Sequence, residues 1–112
     1  MYVFHKDIPK EDLGKGVLFQ FLGASKNLDV FHWNMDDGAV VVLHSHPSEQ
    51  FGYCIKGGFD MTIGDDHAIL KAGDAYFIPA NVPHTFTALG ETEAIDVFSP
   101  VKKDLPNGKS LE

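Results

Sequence analysis

The 112-residue chain contains one cysteine, Cys54. An intrachain disulfide framework and a thiolate-rich zinc site are therefore excluded, and a reducing, cytoplasmic location is expected. Long apolar runs are missing too. The longest is about five residues, Ala39 to Leu43, against the roughly 20 that a membrane helix needs, so no membrane partner is expected. The opening Met1-Tyr2-Val3-Phe4-His5-Lys6 lacks a basic start followed by an apolar stretch, and no secretion signal is expected. Positive charge is scarce. Lys+Arg number 9 against 16 Asp+Glu, a formal net charge of −7, and the cations gather in no stripe, which argues against nucleic acid. No repeat with a period of about 20 to 50 residues is present. Helical spacing is confined to a short turn at Ile8 to Leu13. What remains is ordinary globular composition, 44% hydrophobic and 22% charged, at a length suited to one domain over residues 1–112.

Short apolar or alternating runs dominate the rest. Strands are predicted at Val17–Leu22, Leu28–Met35, Val40–His44, Tyr53–Lys56, Phe59–Ile63, His67–Leu70, Ala75–Ile78, His84–Ala88 and Glu93–Ser99. Phe59, Met61 and Ile63 alternate with Asp60 and Thr62, as a strand with one buried face requires. Gly57-Gly58 suits a two-residue hairpin, and Gly64-Asp65-Asp66 and Lys71-Ala72-Gly73-Asp74 suit turns. Many short strands with such turns mean a sandwich or a barrel. The polar tail 100–112, with Pro100 and Pro106, is expected to wrap the surface or fray.

Three of the six histidines stand where a metal could use them. His44 and His46 are separated by one residue. On a strand, positions i and i+2 face one side, and Pro47 favours an extended His46. Two exposed strand histidines are the plainer explanation of that pair alone. Its surroundings add weight: they read Gly38-x5-His44-x-His46-x3-Gln50-x6-Gly57, then Gly73-x5-Pro79-x-Asn81-x2-His84. His5, His32 and His67 lack such company; His67 is expected to be solvated and His32 to be a satisfied structural histidine. Cys54 reads as a small buried filler, and Phe51, Tyr53, Phe77, Phe86 and Phe98 read as core by default. Asp96 interrupts the apolar run Ala94-Ile95-Asp96-Val97-Phe98. If Ile95 and Val97 face outward, Asp96 faces the interior, where a carboxylate is costly unless it is paired or functional.

These two spaced motifs resemble those of the cupin family, over Gly38 to about Ala88. Gln50 stands for the family's glutamate, Asn81 for a glycine and Ala88 for an asparagine. The resemblance implies an all-β single-domain cupin, a double-stranded β-helix or jelly-roll barrel, with its core at about 17–99. It implies one divalent ion (Mn, Fe, Co, Ni or Zn) held by His44, His46, Gln50 and His84. Glu49 remains an alternative to Gln50, which alone keeps the family's spacing to Gly57. Three imidazoles and an amide are all neutral, so the ion would keep its full charge and favour an anionic substrate oxygen.

The stretches His44 to Tyr53, Ile78 to His84 and Asp96 to Pro100 resemble a subset of short cupins that includes those of pectin degradation. Those proteins convert 4,5-unsaturated uronates into open-chain keto acids. The resemblance implies a proton-transfer role for Asp96 and a substrate pocket shaped by Phe98 and Tyr53. It also implies Lys102, or Lys103 with a slip, in place of an arginine that holds the sugar carboxylate. The expected function is therefore non-redox enzymology on a small carboxylated sugar. The alternatives are a non-catalytic binder of a sugar acid or dicarboxylate, or a metal-dependent dioxygenase or decarboxylase. Cupin relatives are often dimers, which implies a homodimer, with the apolar pieces Tyr2-Val3-Phe4 and Val17 to Leu22 covering an edge.

Overall fold

The computed structural model describes residues 1–102. A single 3-10 turn, His5–Asp7, precedes ten strands: β1 Glu11–Gly14, β2 Val17–Ala24, β3 Asp29–Met35, β4 Val40–His44, β5 Glu49–Lys56, β6 Gly58–Ile63, β7 Asp66–Lys71, β8 Ala75–Ile78, β9 His84–Ala88 and β10 Thr92–Ser99. The nine predicted strands are present. β1 is additional and occupies part of the stretch expected to turn helically. β5 begins four residues earlier than predicted, so Gln50 lies on a strand. In the tail, Pro106 and Lys103 lie outside the described residues.

Antiparallel pairing builds two sheets. The larger runs β1-β2-β3-β10-β5-β8 and the smaller β4-β9-β6-β7. The expectation of a closed jelly-roll barrel is corrected here. Each sheet keeps two edges, β1 and β8 in one, β4 and β7 in the other, and no ladder joins the sheets among the described residues. The glycine pair shows why. Gly57-Gly58 does not close a hairpin, because β5 and β6 belong to different sheets. Gly57, at φ 76°, carries the chain across from one sheet to the other, and a Cβ there would run into the Glu91 carbonyl. The segment between β7 and β8 crosses back in the same way.

The sheets face each other across interleaved side chains. Phe59, Met61 and Phe86 come from the smaller sheet and Cys54, Ile78 and Ala94 from the larger, all in one buried cluster. Phe19, Phe31 and Phe98 form an aromatic cluster beside it, with Phe21 and Trp33 packed on it. β10 shows the sequence logic clearly. Thr92, Ala94, Asp96 and Phe98 are buried, alternating with half-buried Glu93, Ile95, Val97 and Ser99. Not every expected core ring is inside. Phe77 is 74% exposed and packs at a tilt against Phe51, 5.0 Å between centroids, because both residues point away from the inner layer. No helix of the described residues is long and apolar enough to cross a membrane.

Candidate metal centre

The two sheets and one loop each contribute to a single cluster. His44 ends β4 and pairs directly with His84, which opens β9, and their ring centroids lie 4.3 Å apart. His46 is not on the strand that the His-x-His spacing suggested. It sits in the loop after β4, where its carbonyl accepts the Asn81 N–H at 2.8 Å. Asn81 takes φ 65°, the left-handed conformation that asparagine tolerates better than most residues. This turn brings His46 to 4.9 Å from His84 and 5.5 Å from His44, ring centre to ring centre. One ring nitrogen of each histidine lies within 4.8 Å of the other two.

The hydrogen bonds settle which nitrogens are available. Each Nδ1 faces a backbone carbonyl: His44 to Val42 at 2.8 Å, His46 to Ser48 at 2.8 Å, His84 to Val82 at 2.9 Å. A carbonyl can only accept, so each Nδ1 carries the proton and each Nε2 presents a lone pair. The Nε2 of His84 is buried without a hydrogen-bond partner. The Nε2 of His46 lies 3.2 Å from Oε1 of Gln50, whose amide N–H acts on Asp96. The partnerless Nε2 of His84, beside the close approach of the His46 Nε2 to an amide oxygen, is an arrangement that a cation resolves. Burial, the largest influence, drives the pKa of His84 down to about 4 and lowers that of His46. Neutral imidazoles at neutral pH are the form that ligates a metal. The three-histidine cluster is suited to one divalent ion, and its N/O donors leave open which.

Beside the cluster, Asp96 is buried, as its position in an apolar run implied. Asp96, Gly52 and Tyr76 share one row across β10, β5 and β8. Gly52 has no side chain, and a Cβ there would fall inside the Tyr76 ring. Through that gap Tyr76 reaches across a whole strand and donates its O–H to Asp96 Oδ1 at 2.7 Å. Burial pushes the Asp96 carboxyl up to about 6; Tyr76, Gln50, the Lys102 charge and the more distant Trp33 N–H hold it back from rising further.

A cavity of about 350 Å³ opens on this site, lined by His44, Gln50, His84, Asp96, Phe98 and Lys102, with Trp33 and Val41 among its apolar walls. A larger groove of about 530 Å³, beside Lys10, Asn34 and Glu93, holds none of the histidines. Phe98 packs edge-on against His46, centroids 5.4 Å apart, and the Lys102 ammonium lies 5.0 Å from the Phe98 ring centre. Two expected participants lie elsewhere. Tyr53 is 42% exposed, because the two-residue period that turns Gln50, Gly52 and Cys54 inward turns Tyr53 to the outer face. Glu49, the alternative ligand, is exposed for the same reason. The Nε2 of His32 pairs with Glu93 at 2.5 Å while its buried Nδ1 has no partner among the described residues, and exposed His67 pairs with Asp60 at 2.6 Å. Tyr76 and Trp33 were not singled out in the sequence. The only signal for Tyr76 was a glycine at an inward-facing position of a neighbouring strand.

Comparison with known proteins agrees with this geometry. A family model described as a cupin domain matches residues 31–98. The chain is 32% identical over 105 residues to the pectin degradation protein KdgF of Dickeya dadantii, covering 92% of this chain and 96% of that one. Among solved structures, an RmlC-like cupin from Shewanella frigidimarina superposes with a TM-score of 0.86 at 30% identity, covering 91% of this chain and 92% of the other. KdgF from a Halomonas species gives the same TM-score at 26% identity, with 91% and 94% covered.

Proposed function

The chain belongs to the cupin family, and from that premise we propose that it is a metal-dependent, non-redox enzyme acting on a small carboxylated sugar such as a 4,5-unsaturated uronate. One observation carries the proposal: a buried carboxylic acid, Asp96, shares its cavity with a converging three-histidine cluster. His44, His46 and His84 would hold the ion, with Gln50 as fourth ligand. A divalent ion bound there supplies Lewis acidity toward a carbonyl or hydroxyl oxygen.

The side chains of the protein account for the rest. The Lys102 ammonium attracts the sugar carboxylate as a point charge rather than a bidentate fork. Phe98 and Trp33 give the ring an apolar wall and keep water out. Asp96, buried in the cavity and held by Tyr76, can both take up and return a proton. It accepts a proton from the sugar hydroxyl as the ring C–O bond opens, then returns one to the adjacent carbon as the enol becomes a ketone. No atom or electron is gained or lost, and the conjugated double bond disappears.

Mixing the metal-loaded protein with lyase-generated unsaturated uronate is expected to speed the loss of ultraviolet absorbance. Asp96→Asn is expected to slow it by roughly 10²-fold or more; an Asp96→Asn rate equal to wild type would refute the assigned role. Binding of sugar acids without turnover would favour a carrier, and dioxygen uptake by iron-loaded protein would favour a dioxygenase. Two further properties belong to this reading: one domain in the cytoplasm, and a homodimer. The dimer is supported by exposed Tyr2, Val3 and Phe4 and by exposed Val40, Val42 and Leu43 on edge strand β4. A monomer mass by light scattering would count against the dimer.

A further inference from the structure

Asp29 is a fully buried carboxylate for which neither metal binding nor proton transfer has a use. It opens β3 directly across from Phe98 of β10, whose other neighbour in register is Gln50. Its Oδ1 accepts the backbone N–H of Lys102 at 3.3 Å. Its Oδ2 is buried and meets no hydrogen-bond partner. A carboxylate is costly to bury, and what offsets the cost here is chiefly the Lys102 backbone N–H and then the Lys102 charge, so what that contact does for the chain is informative. Lys102 lies three residues past the end of β10, outside any ladder. No sheet register dictates where its side chain goes. Even so, its ammonium lies over the Phe98 ring and it lines the cavity with Asp96 and the histidines.

We propose that Asp29 is a positioning residue for carboxylate recognition: by accepting the Lys102 N–H it ties the segment leaving β10 to the start of β3 and holds the Lys102 ammonium over Phe98 at the cavity. Asp29 touches no ligand itself and acts through Lys102. The proposal rests on the sugar-acid reading above, and the experiment separates the two.

The full-length, metal-loaded chain is titrated with D-galacturonate and with D-galactose, followed by NMR. The ratio of the two affinities reads carboxylate recognition without any turnover. Wild type is expected to prefer galacturonate by about tenfold or more. Asp29→Ala should cut that preference about fivefold, while Asp29→Asn, which keeps an acceptor oxygen, should stay within about twofold of wild type. In a Lys102→Met background, Asp29→Ala should change nothing further, since both act on one contact. An undiminished preference in Asp29→Ala, a loss that adds fully to that of Lys102→Met, or a wild type without preference each overturns the proposal. Should Asp29→Ala fail to fold, amide exchange at Lys102 decides. A slowed amide in wild type and Asp29→Asn supports the tether, and an unprotected one overturns it. Turnover of unsaturated uronate with an Asp29-independent preference removes the role of Asp29 alone. The expected preferences without turnover remove only the enzymatic reading.

Discussion

Replacing Asp96 by asparagine should make the metal-free protein more stable at neutral pH, even as it removes the proposed proton carrier. The carboxyl moves from 3.8 to about 6 in the fold, chiefly through burial. The folded state therefore keeps a proton that the unfolded chain gives up, and stability falls as pH rises from about 4 to about 6. At about 1.4 kcal/mol per pH unit, the raised pKa of Asp96 costs the native state ~3 kcal/mol at pH 7.5 and ~1 kcal/mol at pH 4.5 relative to the unfolded chain. His84 works in the opposite sense. Its pKa is depressed to about 4, so its contribution is present above about 6.5 and is lost as pH falls through 4. That contribution is common to both proteins and cancels in their difference. Urea unfolding of wild type and Asp96→Asn, with chelator present, should thus show the variant gaining ~2 kcal/mol on wild type between pH 4.5 and 7.5. Curves that keep a constant separation across this range would show that burial does not hold the Asp96 proton in place, and the proton-carrier argument would lose its basis.

His84→Ala should bring bound metal from about one ion per chain to below about a tenth by elemental analysis, with the far-ultraviolet circular dichroism retained, because it removes one of three converging nitrogens. A divalent ion at about 100 times its dissociation constant should stabilise the wild type by ~2.7 kcal/mol, and by less at pH 5, where protons compete for the imidazoles. Thermal melts at the two pH values check both. Gly52→Ala should destabilise by ~1–3 kcal/mol through overpacking against the Tyr76 ring. Adding Tyr76→Leu should recover part of that loss, and strictly additive penalties by chemical denaturation would contradict the described contact.

Local chemistry accounts for what was legible in the chain. Short apolar or alternating runs cut by Gly, Pro, Asn and Asp marked nine strands. The resemblance of two spaced motifs to the cupin pattern implied that His44, His46 and His84 meet, and an acid inside an apolar strand marked Asp96 as interior. The strands and the placing of Asp96 depend on neighbours within a few positions; the histidine cluster rested on the family resemblance. Other features depend on which strands become partners, and that is a matter of long-range packing. Gly57-Gly58 has the composition of a hairpin, but its flanking strands are claimed by different sheets, so the barrel stays open. Tyr53 and Phe77 have core composition, but their parity on β5 and β8 turns them outward. Tyr76 reaches Asp96 only because Gly52 lies between them, and Asp29 meets Lys102 across 73 positions of chain. A side chain's type and spacing fix what it can do. Which distant groups it meets is set by sheet register, and register is chosen by the burial of the whole inner layer at once.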